Sequence, residues 1–346
     1  MGILTSIAVD DIRRRGSIRD SDVAALRAAY ETSSEITSDE ADALFALHAA
    51  TPIQDPSWTS LFIEVIGEFI VSQSEPEGYI VAENGRWLID HITTFGRVET
   101  STEMALLVHV LERARWSPPS LAAFALDQIR HAVDSGAGPL RNGRPIPRGT
   151  IAPAEVDFAA RVLRAFGGDT ATAVTRIEAE ALLAIHRAIE PGGASPAWSE
   201  LLVRTIGAGV LASLGHAVAP RSEIIESLGT PGTDGGLVSL LIGSNDPRAA
   251  LPRHIAEGDR GGCRIWQSAR VLSSEERALV RLERQRLEIV TNEVIEETDD
   301  LWLMDRLAES RPGDEAEATL LAYVVREASQ LTDELERFAQ RRAIAA

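Results

Sequence analysis

Ile36-Thr37-Ser38-Asp39-Glu40-Ala41-Asp42-Ala43-Leu44-Phe45-Ala46-Leu47-His48 and Val174-Thr175-Arg176-Ile177-Glu178-Ala179-Glu180-Ala181-Leu182-Leu183-Ala184-Ile185-His186 are the stretches whose reading decides the fold. Set side by side at an offset of 138, they are identical at seven of 13 positions. Ala41, Leu44, Phe45 and His48 recur at spacings of three and four, the signature of one helix face. Thr37 with Glu40, and Thr175 with Glu178, spell T-x-x-E. In that capping box the hydroxyl and the carboxylate each satisfy a backbone N–H left without a partner at a helix start.

The likeness extends outward in the same order. Pro56, Trp58, Leu61, Ile66 and Gly67 match Pro196, Trp198, Leu201, Ile206 and Gly207 at offset 140. Trp87-Leu88-Ile89-Asp90 matches Trp302-Leu303-Met304-Asp305, and Glu103, Leu106, Leu107, Ala114, Leu121 and Phe124 match Glu317, Leu320, Leu321, Ala328, Leu335 and Phe338 at offset 214. Tryptophan is scarce, so its recurrence in register argues for two copies of one unit. The growth in offset puts an insertion of about 75 residues (215 less 140) in the second copy, near 217–292. The expected organisation is a basic tail over 1–17, a helical repeat over 18–134, a linker over 135–150, and a second repeat with the insertion over 151–346.

The periodicity predicts an all-α chain of two pseudo-equivalent helical units. Asp55-Pro56 opens a helix whose apolar stripe is Trp58, Leu61, Phe62, Val65, Ile66 and Phe69. Residues 274–297 read as a further helix, and only 78–81 and 236–242 are short and apolar enough to suggest strands.

Composition removes several chemistries. All 34 basic residues are Arg. Without lysine there is no Schiff base, no pyridoxal-phosphate attachment and no phosphate-binding P-loop lysine. A net charge of −18 disfavours nucleic acid as the main partner. The single cysteine, Cys263, allows no intrachain disulfide and fits a reducing compartment, so a cytoplasmic location is expected. No stretch is long enough to span a bilayer. Arginine in place of lysine, with abundant alanine, points to a GC-rich bacterial genome.

Candidate sites resolve into a few readings. His48 and His186 are equivalent, either paired as ligands or hydrogen-bonded core residues near a helix end. His109-x-x-Glu112 aligns with Tyr323-x-x-Arg326, which excludes a symmetric metal site there. Gly207-x-Gly209-x-x-Ala212 follows a helix rather than a strand, so it reads as close helix packing and not a dinucleotide turn. In the insertion, Cys263 between Arg260 and Arg264 could act as a thiol nucleophile with His254 as base.

Gly96-Arg97-Val98 with Glu103, and Ile36 with Glu40, carry a resemblance to the tellurite-resistance TerB-like helical bundles and to degenerate EF-hand-like proteins. The resemblance implies a bacterial helical family in which a turn of the form D-G-x-V/I-x-x-x-E opens a helix and its acids bind metal. Phe95 stands where that turn has Asp, and the step from Val98 to Glu103 is one residue longer. An EF-hand register starting at Ala29 or Gly167 lacks the first carboxylate ligand.

The chain is therefore expected to be a non-catalytic interaction or regulatory protein whose partner is another protein or a second copy of itself. The alternatives are a metal-responsive protein and an enzyme with a site in 217–292. No catalytic, cofactor-binding or metal-binding residue is assigned, and no cofactor or nucleic acid is expected.

Overall fold

A computed structural model describes residues 9–33, 36–73, 77–141, 143–144, 146–165, 174–228, 299–309, 313–328 and 331–345. Most of them are helical. The chain divides into two compact units, with the boundary between Ser117 and Pro118.

The first unit holds α1 (Val9–Arg15), α2 (Asp20–Ser33), α3 (Ser38–Ala50), α4 (Pro56–Gly67), α5 (Ala82–Ile92) and α6 (Ser101–Arg113). A π-helical turn, Glu68–Ser72, continues α4. The basic run Arg13–Arg15 lies on a short helix that buries Ile12, and Arg15 pairs with Asp22. Among the described residues, strand is confined to a parallel pair, β1 (Ser17–Ile18) with β2 (Ile53–Gln54), and an isolated bridge joins Tyr79 to Trp116. The main helix contacts are α4 on α6 and on α2.

The second unit holds α7 (Pro119–Ser135), α8 (Pro153–Ala165), α9 (Arg176–Ala188), α10 (Pro196–Ser213), α11 (Arg221–Ser227), α12 (Asp299–Ala308), α13 (Glu315–Glu327) and α14 (Asp333–Ala345). α10 packs chiefly on α13, and α7 on α9. A 3-10 turn, Pro139–Arg141, connects α7 to α8. No helix among the described residues is long and apolar enough to cross a membrane.

Local sequence explains the helix starts. Both expected capping boxes form, Thr37 with Glu40 and Thr175 with Glu178, and a third joins Thr100 to Glu103 at the start of α6. Asp55 and Ser195 cap α4 and α10, each followed at once by proline, which loses nothing at a position whose N–H has no helical partner.

The central crossing in each unit is set by a glycine. A Cβ on Gly67 would lie 2.7 Å from His109 Cδ2, and one on Gly207 would lie 2.5 Å from Tyr323 Cδ1. The H-x-x-E histidine of α6 is thus a packing residue, as is its counterpart on α13. Gly67→Ala and Gly207→Ala are each expected to lower stability by about 1–2 kcal/mol. Overpacking costs roughly 1–3 kcal/mol, and up to about 1 kcal/mol of better helix propensity offsets it. Thermal unfolding checks this, with Gly207→Ala/Tyr323→Ala expected to recover most of the loss.

Candidate functional site

The polar residues shared by the two aligned stretches converge on one arrangement, a tryptophan donating to a histidine. Trp58 Nε1 donates to His48 Nδ1 at 3.1 Å, and Trp198 Nε1 donates to His186 Nδ1 at 3.3 Å. Both indoles are fully buried and both histidines nearly so. A buried indole N–H needs an acceptor, and one turn of the preceding helix supplies it. Gln54 Nε2 also donates to His48 Nδ1, at 3.1 Å. Burial pulls the His48 pKa from 6.5 down to about 4, so at neutral pH the ring is uncharged. The attraction of a helix C-terminus for a cation is therefore not what keeps His48 there; the bond from Trp58 is.

The two centres differ on the far side of the ring. His186 Nε2 lies 3.0 Å from both carboxylate oxygens of Asp314. Asp314 caps α13, accepting from the backbone N–H groups of Ala316 and Glu317, each at 3.1 Å. Burial pushes its pKa up, but the hydrogen bond from His186 and those two N–H donors outweigh it and hold the carboxyl below the usual range. At offset 214 Asp314 aligns with Thr100, so a caps-a-helix hydroxyl in one unit is a carboxylate in the other.

His186, Asp314 and Glu317 bring three ligand-type atoms within 4.8 Å of one another. Their chemistry as arranged is a hydrogen-bond chain. Nδ1 of His186 accepts from Trp198, so the ring proton sits on Nε2 and is donated to Asp314. A histidine that binds metal through Nε2 carries its proton on Nδ1, where a second acceptor receives it. The same chain leaves neither ring nitrogen available as a general base.

A second pair of aligned positions is in contact in each unit, with different chemistry. Asp42 meets His91 at 3.1 Å in the first, and Glu180 meets Arg306 at 2.9 Å in the second. Trp302 donates to Glu180 at 2.6 Å and lies under the Arg176 guanidinium, 5.6 Å from its ring centroid. Beside this cluster opens a cavity of about 490 Å³ lined by Arg176, Trp302, Asp305, Arg306, Ala308 and Glu309. Ile177 and Leu301, adjacent in sequence to Arg176 and Trp302, are exposed. The first unit's aligned residues are Asp39 and Arg86. Its Trp87 instead joins an aromatic cluster with Phe45, Phe69 and His91.

Glu178 does more than close its capping box. Its buried carboxylate also takes the buried guanidinium of Arg221 at 2.5 Å. Desolvation pulls the Arg221 pKa down against the pull of that carboxylate.

The turn carrying Gly96-Arg97-Val98 is a tight hairpin between α5 and α6. Thr94 N–H donates to Arg97 O at 2.9 Å and Arg97 N–H to Thr94 O at 3.1 Å. Phe95 has φ 52° and Gly96 φ 76°, the pair of left-handed residues a type I′ turn requires. Glycine and asparagine are the usual occupants, and a left-handed β-carbon costs roughly 1–2 kcal/mol. Phe95 returns none of that cost to the fold, being 101% exposed. Phe95→Asn is accordingly expected to raise stability by about 1 kcal/mol, seen as a higher Tm.

Cys263, His254, Arg260 and Arg264, with the expected strand at 236–242 and helix at 274–297, lie outside the described residues. Reading the sequence missed Asp314 as the partner of His186, although offset 214 sets it opposite a helix-capping threonine. It also missed the display of Phe95, although the Phe-for-Asp exchange marked the position. The chain matches no family model, no curated protein and no solved structure.

Proposed function

We propose that this chain is a non-catalytic interaction or regulatory protein, built from two diverged copies of one helical unit. The observation that carries the reading is the paired Trp58–His48 and Trp198–His186 bonds: the shared polar residues are spent on holding helices in place. The equivalent glycine crossings and the Asp42–His91 and Glu180–Arg306 pairs support the same duplication. What two copies keep in common is then a shape, and the copies differ in what their surfaces present. Native mass spectrometry of the chain purified gently from its host tests this. The expected result is an assembly containing more than one chain; a single 37.4 kDa species under several conditions would count against it.

A second reading, a metal-responsive protein, is favoured by one observation, the grouping of His186, Asp314 and Glu317. Calorimetry with Ca²⁺, Mg²⁺ and Zn²⁺ separates the two. Saturable heat that Asp314→Asn abolishes supports the metal reading, and none is expected from the proton placement set by Trp198.

A further inference from the structure

We propose that the partner is a second copy of this chain, joined head to tail, with Phe95 of one copy seated in the Trp302 cavity of the next. The inference rests on the interaction reading above and names its partner. Phe95 is a fully exposed aromatic side chain on a hydrogen-bonded turn, in a backbone conformation that other residues would fill more comfortably. A residue the fold disfavours and does not bury has its use outside the fold. Rigid exposed aromatics are the anchors of protein interfaces, because little conformational freedom is lost when they are buried.

The chain carries a receptor of matching chemistry. The cavity of about 490 Å³ is lined by Trp302, Arg176 and Arg306, and a guanidinium is a cation that an aromatic ring can meet face-on. Ile177 and Leu301, next in sequence to Arg176 and Trp302, are exposed apolar residues where the first unit has Asp39 and Arg86. Exposed Arg97, two residues from Phe95, offers a cation to Asp305, which lines the cavity where Glu309 already pairs with Arg306. Anchor and receptor are different surfaces, so the contact is heterologous. Unless its rotation closes a ring, it adds copies indefinitely.

Sedimentation velocity on the purified full chain tests this with two variants. Phe95→Asn removes the anchor. Ala308→Trp fills the cavity from an exposed position on α12, leaving the core untouched. Wild type is expected to form a concentration-dependent series of species. Each variant alone is expected to need at least about tenfold more protein to associate, the least that losing a buried Phe predicts. An equimolar mixture is expected to stop at a dimer, because one variant keeps its cavity and the other its Phe95. Wild type that stays monomeric overturns the inference, as does self-association that both variants retain or a mixture that does not pair. A monomer that still elutes from its host with a different protein overturns this inference alone. A monomer with no partner at all sinks the interaction reading with it.

Discussion

Arg141→Met is expected to destabilise the second unit by about 3–5 kcal/mol, the cost of removing one partner from a buried ion pair. The Arg141 and Glu155 side chains are 1% and 0% exposed. Arg141 Nε donates to Oε1 at 2.7 Å and Nη2 to Oε2 at 3.2 Å, a two-pronged match of fork to carboxylate. Its remaining donors reach the carbonyls of Ile146, at 3.2 Å, and Thr150, at 2.8 Å. One guanidinium thus pins the segment between α7 and α8 at several points along its length. Methionine fills the space but leaves the Glu155 carboxylate buried, with the Ala152 N–H at 2.7 Å as its remaining donor here. Urea unfolding followed by tryptophan fluorescence reads the loss as a lower midpoint. Arg141→Met/Glu155→Met is expected to recover most of it, because the penalty lies in the orphaned charge. Arg141→Lys is expected to recover only part, since a compact ammonium cannot span both carboxylate oxygens and two carbonyls. A Lys variant as stable as wild type would show that charge alone matters at this position.

That expectation gives the absence of lysine a structural consequence. Arg141, buried beside Glu155, acts through a branched head that contacts its surroundings at more than one point. Base composition explains why arginine is available, and geometry explains what the fold makes of it.

What the sequence made legible was local. The spacing of Trp58, Leu61, Phe62, Val65 and Ile66 dictates which face of α4 is buried, and all five are. Thr37–Glu40 and Thr175–Glu178 announce helix starts because a capping box needs residues only three apart. The third box, Thr100–Glu103, carries the same T-x-x-E spacing at the start of α6. Contacts made at a distance left no local trace. His186 and Asp314 are 128 residues apart, with the proposed insertion between them. Arg141 and Glu155 sit in a Gly- and Pro-rich stretch with no period to connect them. Phe95 was hidden differently: Phe-Gly is not the Asn-Gly that signals a type I′ turn.

Acidification from pH 7 to pH 4 is expected to cost the first unit about 3 kcal/mol through His48 alone, 2.5 pH units at 1.36 kcal/mol each. The sign follows from proton uptake. The unfolded ring titrates at 6.5 and the folded one at about 4, so between those values the unfolded chain binds more protons. Stability is therefore fully present above pH 6.5 and falls as pH drops toward 4. Below about 4 both states are protonated and this contribution changes no further; carboxylates, with ordinary pKa values of about 4, titrate over the same lower range. The loss has a local cause as well. A protonated Nδ1 can no longer accept from Trp58 Nε1 or from Gln54, so two donors lose their acceptor as the charge arrives. His48→Asn isolates the effect, because its side-chain oxygen can accept from Trp58 and does not titrate in this range. Urea midpoints at several pH values between 7 and 4 are expected to fall more steeply for wild type than for His48→Asn. Parallel curves for the two proteins would mean that His48 takes up its proton in the folded state as readily as in the unfolded one. The buried Trp58–His48 bond would then not be what holds α3 against α4.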